Sequence, residues 1–246
     1  MSQRFRPDDM EGQVNDYLDL LMHGVVLFRS GLQLSLQDRP DEFRGRLAEL
    51  RAMSHQAAGL RRAMTAQLYR SLRWDARGRA LTDCLESTEA IISRMTATLV
   101  KYAVERPEPV VEGNALLLEL AESAKHTVDC MSVTLRAHFR NAAEVAADAE
   151  RVRSAREDTS SLSERYRGLI CRMDLRLSHK SQLCSFADAI EDIAAVAAHA
   201  VDRLAAIDRG RDTIFNPWAL GKVATGWLVL SIVALAVIFA LTLFAS

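Results

Sequence analysis

Three acidic residues have a type and spacing from which metal coordination is possible: Asp188, Glu191 and Asp192. Carboxylates from neighbouring long helices can converge on one ion, and their oxygen atoms suit hard divalent cations. In residues 186–204 the apolar side chains recur at steps of three and four, which predicts a helix. Glu191 and Asp192 lie beside its apolar face, but one turn further on the chain has only Ala195. The acids leave three hypotheses: a metal site, a former metal site, or a plain helical bundle.

Other groups of residues offer less chemistry. The six histidines include no pair four residues apart and no HExxH sequence, which argues against a zinc site. No glycine-rich loop precedes a helix, so the usual phosphate cradle is missing. No base is placed to activate a serine or cysteine nucleophile. We therefore expect a non-enzymatic protein without a cofactor.

The composition bears on nucleic-acid binding and on the redox state of the compartment. The net charge of −1 provides no field that attracts nucleic acid. The four cysteines fall within helical patterns and are interpreted as small buried hydrophobes in a reducing compartment. Arginine-rich runs such as GLRRAM are interpreted as solvated faces.

The elements that must position these acids are helices, because β-branched alternation is nearly absent. Apolar periodicity predicts six helical segments, and the stripe of the second includes Leu60. The predicted bounds are about 8–37, 41–68, 76–105, 115–140, 142–173 and 178–212. Helices of this length with short joints form antiparallel bundles.

The proline-rich stretch RPEPVVEG divides these helices into two halves, 8–106 and 110–213. Sliding residues 60–102 onto the second half without a gap aligns Glu89 with Glu191, and Leu81 with Leu183. This weak internal repeat places the two glutamates at equivalent positions.

The C-terminal segment predicts a membrane anchor. From Val223 to the end, 24 residues carry no charged side chain, and as a helix they span about 36 Å, enough for a hydrocarbon core of about 30 Å. Basic residues precede the span and none follows it, so residues 1–222 are predicted to be cytoplasmic. The predicted domains are a helical domain, 1–216, and an anchor, 217–246. The predicted membrane-interface residues are Arg209, Arg211, Trp218, Lys222 and Trp227.

Four stretches in this order resemble one family: LRRAMTAQLY, RGRALTDCLESTEAIISRM, KYAVERPEP and LSHKSQLCSFADAIEDIA. Over about residues 10–210 the chain resembles the PhoU-like Pit accessory proteins, also called domain-of-unknown-function family 47. The pieces ERPE and LSHK are the most specific. The resemblance implies two tandem antiparallel three-helix bundles on the cytosolic side of a bacterial inner membrane. It also implies a Pit-type inorganic phosphate transporter as partner. The hydrophobic tail is an addition to the family pattern.

The resemblance also implies acidic metal-ligand sets, and here they are eroded. The second helix has SHQAA, with His55 in place of an acid, and the third has Glu89 followed by Ser93. The fifth helix keeps Asp158, but Arg156 and Ser160 stand where acids are implied. Against the pattern that the resemblance implies, the surviving acids are four vestigial candidates, Glu89, Asp158, Glu191 and Asp192, and we expect no bound metal. They are expected to be exposed or paired with arginines of neighbouring helices. Because no metal is expected to compensate their charge, Glu89→Gln and Glu191→Gln are expected to leave the melting temperature unchanged or to raise it.

The function expected from the sequence is that of a membrane-anchored accessory protein that modulates inorganic phosphate transport. One alternative is a general tail-anchored helical scaffold with no role in phosphate, and self-association is open in either case. The other is a metal-binding sensor or metal-dependent enzyme that uses Asp158, Glu191 and Asp192.

Overall fold

The computed structural model describes residues 7–70, 76–140 and 145–214 of the chain. These ranges form six helices and contain no strand. The helices are α1 Pro7–Leu36, α2 Pro40–Arg70, α3 Ala76–Glu105, α4 Val111–Arg140, α5 Val145–Arg172 and α6 Leu177–Ile214. The all-α prediction is confirmed for the described ranges, and α3 has the predicted bounds.

The connections between helices are short and contain residues that end or begin a helix. Asp38, with a φ of 54°, ends the first helical run, and Pro40 opens α2 at a position where a missing N–H costs nothing. Arg106, with a φ of 43°, follows the end of α3 and is succeeded by Pro107. α4 begins four residues before its predicted start, because Gly113 continues the helix and lies against the ring of Tyr166.

In the first half, α1, α2 and α3 each pack against the other two. Gly24 of α1 faces Met53 of α2 and Met95 of α3, and Gly31 faces Leu99. A Cβ atom on Gly31 would lie only 2.7 Å from Cδ1 of Leu99, so this glycine permits the close approach of α1 and α3. The largest fully buried side chains of the half include Tyr17, Phe28, Leu21, Leu32, Leu50, Met64, Ile91 and Ile92.

In the second half, α4 packs against α5, and hydrogen bonds join α5 to α6. The α4–α5 interior is partly polar, since the hydroxyl groups of Ser123 and Thr159 lie 2.9 Å apart and Thr127 is 3.2 Å from Thr159. Arg153 of α5 donates to Asp202 of α6 at 3.1 Å. Along this seam α5 residue numbers rise as those of α6 fall, so the two helices are antiparallel.

Equivalent helices of the two halves contact each other. α1 packs against α4, where Arg136 donates to Asp19 at 2.7 Å. α3 contacts α6, where Lys101 Nζ donates to Ser185 Oγ at 2.7 Å and the Tyr102 and Phe186 ring centroids lie 4.1 Å apart. Burial of these rings and of the apolar stripes supplies the main stabilisation of the fold.

Two predictions about buried residues are wrong. Leu60, predicted on the apolar stripe of α2, is 37% exposed, whereas Ala57 and Met64 on the same stripe are buried. Of the four cysteines only Cys84 is buried; Cys130 and Cys184 are half-buried, and Cys171 is exposed. Helical periodicity places these residues near the seams but does not determine how deeply each one lies.

The chain divides into a compact unit, Met1–Ala205, and a second unit, Ala206–Ser246. Among the described helices none is both long and apolar enough to cross a membrane. The predicted span, 217–246, lies outside the described residues, as do Trp218, Lys222 and Trp227. Arg209 and Arg211 lie on α6, and only their backbone is described. The anchor therefore stays a prediction.

Candidate functional site: the carboxylates of α3, α5 and α6

Glu89 of α3 is held by an arginine of the preceding helix. Its Oε2 atom accepts a hydrogen bond from Nε of Arg61 on α2, and the two side chains are only 27% and 23% exposed. Glu86, one turn earlier on α3, lies 4.0 Å from the same guanidinium and is 57% exposed. The Arg61–Glu89 pair thus neutralises a half-buried carboxylate that no metal is needed to balance.

Glu191 of α6 has an equivalent arrangement in the second half. Its carboxylate accepts hydrogen bonds from Ser160 Oγ at 2.7 Å and from Arg167 at 3.3 Å, both on α5, and its side chain is 19% exposed. Arg167 also donates to Asp188 Oδ1 at 2.6 Å. One guanidinium therefore bridges two carboxylates a turn apart on α6, a geometry that suits its planar fork of donors.

Asp192 and Asp158 have different environments from the two glutamates. Asp192 accepts a hydrogen bond from Arg94 of α3, half-exposed at the α3–α6 seam. Asp158 is exposed on α5, and no described ion pair includes it. Arg156, which occupies a place where the family resemblance implies an acid, has a buried Nε atom without a hydrogen-bond partner among the described residues. A cation at that point opposes metal binding on α5.

The four candidate acids are not brought together. Glu89 faces α2, Glu191 faces α5 and Asp192 faces α3, so each contributes to a different seam. In the described part of the chain, no group of three His, Cys, Asp or Glu side chains is arranged to hold a metal ion. His55, which stands where the family resemblance implies an acid, is exposed. This arrangement can join helices, since Arg61, Arg94 and Arg167 each hold a carboxylate of another helix.

Sequence reasoning missed Arg61 and Arg167. Arg61 belongs to the GLRRAM run, whose interpretation as a solvated face holds for its neighbour Arg62 but is wrong for Arg61. The position of each arginine in the sequence could have predicted the pairing. Each arginine lies on the helix that precedes the helix of its glutamate, at the residue that antiparallel packing brings opposite that glutamate. That prediction depends on the register between helices, which periodicity does not supply.

A cleft of 610 Å³ lies between α3 and α6, beside the Arg94–Asp192 pair. Arg203 donates to Ser87 Oγ at 2.5 Å on its wall, and the carboxylate of Asp202 is held by Arg153. The cleft is lined by Glu86, Ser87, Ala90, Arg94, Val196, His199, Asp202 and Arg203. Charges of both signs line it in similar number, so its electrostatics favour neither cations nor anions.

The fold has known relatives among solved structures, although no family model and no curated protein matches the sequence. A PhoU-like phosphate regulatory protein of Shewanella oneidensis superposes with a TM-score of 0.73 at 13% identity. The match covers 80% of this chain and 98% of that one. The chain has a PhoU-like fold. A second PhoU-like protein of the same organism matches with the same TM-score and coverage at 12% identity. At this identity the likeness concerns the PhoU-like backbone and not its ligands.

Proposed function

We propose that this protein is a non-enzymatic regulatory or accessory protein that modulates inorganic phosphate transport. The observation that carries the proposal is the PhoU-like fold, shared over 98% of a solved chain named as a phosphate regulatory protein. The motifs ERPE and LSHK support the narrower assignment to Pit accessory proteins, because they stand at the end of α3 and the start of α6.

The contacts of Glu89 and Glu191 support a non-catalytic role. A hydrolytic or metal-dependent enzyme needs carboxylates that are free to bind an ion or move a proton. Here Glu89 and Glu191 are engaged by Arg61 and Arg167 on half-buried seams. Such pairs rigidify the helical bundle, which suits a protein that acts by contact.

The uncharged tail supports action at a membrane. An anchor in residues 217–246 confines the helical domain to the surface where a Pit-type transporter resides. Confinement raises the effective concentration of the two partners, so a weak interface is sufficient.

The proposal is tested with tagged full-length protein, crosslinked in cells and purified from membranes in mild detergent. We expect a phosphate transporter among the partners identified by mass spectrometry. Deletion of the gene is expected to change the rate of radioactive phosphate uptake, and the full-length chain to restore it. A chain without residues 219–246, produced at the same level, is the matched control and is expected to restore uptake poorly.

Two outcomes contradict the proposal. Unchanged phosphate uptake in the deletion strain, together with recovery of helical membrane proteins other than transporters, would indicate a general scaffold. Full restoration of uptake by the truncated chain would separate the phosphate role from the anchor.

A further inference from the structure

Two cysteine side chains face each other across the α5–α6 seam. The pairs Arg153–Asp202 and Arg167–Asp188 define the antiparallel register of this seam, and the same register brings Cys171 of α5 opposite Cys184 of α6. Cys171 stands one turn after Arg167 on α5 and Cys184 one turn before Asp188 on α6, so the contact between Arg167 and Asp188 places the two cysteines opposite each other. Both are free thiols.

The surroundings differ between the two residues. Cys171 is exposed and stands in the last turn of α5, where its carbonyl oxygen accepts a hydrogen bond from Lys180 Nζ at 2.8 Å. Carbonyl groups of a last turn lack intrahelical partners, so this turn can shift toward α6 without breaking the helix interior. Cys184 is half-buried. Burial raises the pKa of the Cys184 thiol, and the neighbouring Cys171 and Asp188 add to the rise.

We propose that Cys171 and Cys184 form an oxidation site at which a hydroperoxide converts the two thiols into an intramolecular disulfide. The exposed Cys171 meets the oxidant first: its sulfur attacks one peroxide oxygen, the O–O bond breaks, and a sulfenic acid and water form when the peroxide is H₂O₂. The Cys184 sulfur then attacks the sulfenic sulfur, forms the S–S bond and releases the second water. Two electrons pass from the two thiols to one peroxide.

The disulfide would connect α5 to α6 one turn from Arg167, which already bridges Asp188 and Glu191. Such a link restricts the unfolded chain between residues 171 and 184 and stiffens this end of the hairpin. An exposed disulfide that forms after movement of a helix end is easily reduced again, as expected for a reversible modification in a reducing compartment.

The chain contains convenient cleavage sites for the test. Trypsin cuts after Arg172 and Lys180, so the two cysteines fall on separate peptides, 168–172 and 181–203. Full-length protein in mild detergent is reduced, treated with H₂O₂, alkylated and digested. We expect the two peptides to be joined, a loss of about 2 Da in the intact mass, and a Tm higher by about 5 °C that dithiothreitol reverses.

Cys171→Ser and Cys184→Ser are each expected to abolish the joined peptide. Cys130→Ser is the matched control, since this half-buried cysteine lies on α4, and it is expected to retain the link. The proposal is overturned if peroxide yields only sulfinic acid at Cys171, or a disulfide-linked dimer, with no bond between the two peptides. Because the mass readout is made on the unmutated chain, poor folding of a variant does not obscure the result.

Discussion

The carboxylate of Glu191 lies 3.3 Å from the guanidinium of Arg167, on the half-buried seam between α5 and α6. Its equivalent in the first half, Glu89, is hydrogen-bonded to Arg61 on the α2–α3 seam. Each acid therefore has a positive partner on the preceding helix. Removing either carboxylate leaves a half-buried guanidinium without its counter-charge. The sequence-based expectation that Glu89→Gln and Glu191→Gln leave the melting temperature unchanged or raise it is therefore replaced by an expected loss of stability.

Neutralising Glu89 is expected to destabilise the fold. Glu89→Gln leaves the half-buried Arg61 without its closest carboxylate, which we expect to lower the free energy of unfolding by about 1–2 kcal/mol. Glu86→Gln is the matched control, because Glu86 lies 4.0 Å from the same guanidinium and is exposed, and its effect should stay within about 0.5 kcal/mol. Urea denaturation measures both.

Chelation separates an ion pair from a metal site. If Arg61 is the partner of Glu89, EDTA leaves the Tm of the wild-type protein unchanged, and protein purified without chelator carries well under one equivalent of metal. A raised Tm for Glu89→Gln, or a loss of wild-type stability on chelation, contradicts the ion-pair assignment.

The contact between α1 and α3 predicts opposite effects of two glycine substitutions. Gly31→Ala would place Cβ 2.7 Å from the buried Leu99, so we expect a loss of about 1–3 kcal/mol of unfolding free energy. Gly59→Ala has open space around the new methyl group, so better helix propensity should add about 0.5–1 kcal/mol. Thermal and urea denaturation monitored by CD distinguish them; equal effects would mean that α1 and α3 are further apart than described.

Because of its buried tyrosines, the fold is expected to lose unfolding free energy at alkaline pH. Burial, with a smaller contribution from the nearby Cys184, raises the pKa of Tyr166 to about 12 from 10.0. Because the folded-state pKa is the higher one, the unfolded chain loses its proton first, and the stability from the neutral phenol is present below pH 10 and lost as the pH rises toward 12. Burial raises the pKa of Tyr17 and Tyr102 in the same direction.

The substitution Tyr166→Phe removes one of these buried phenol groups, and with it the proton that it releases at alkaline pH. Between pH 10 and 12, the decline of unfolding free energy should be shallower by about 1.4 kcal/mol per pH unit in the variant than in the wild type. Between pH 7 and 9 the two curves should run parallel, which is the internal control. Parallel curves above pH 10 as well would show that Tyr166 ionises equally in both states.

Removal of the tail tests the predicted anchor. A chain without residues 219–246 should move from the membrane to the soluble fraction and keep its helical CD signal, because the core residues belong to α1–α6. Cell fractionation and CD measure the two effects. An unfolded truncated chain would mean that the tail is part of the core.

Local patterns in the sequence predicted much of the fold. Periodicity and Pro107 were sufficient to predict α3 at Ala76–Glu105, since a helix depends on side chains three and four residues apart and on the residues that end it. The start of α4 was predicted too late, because glycine counts locally as a helix breaker, whereas Gly113 lies buried inside the helix, next to the ring of Tyr166. Periodicity also did not predict the exposure of Cys171 and Leu60.

The sequence by itself determined six long helices and the identity of the four candidate acids. Only the tertiary structure decided that Arg61 pairs with Glu89, that Arg167 pairs with Glu191, and that Cys171 lies beside Cys184. The physical reason is that each contact joins different helices. Its formation depends on the relative rotation and register of those helices, which the packing of all their buried side chains sets together.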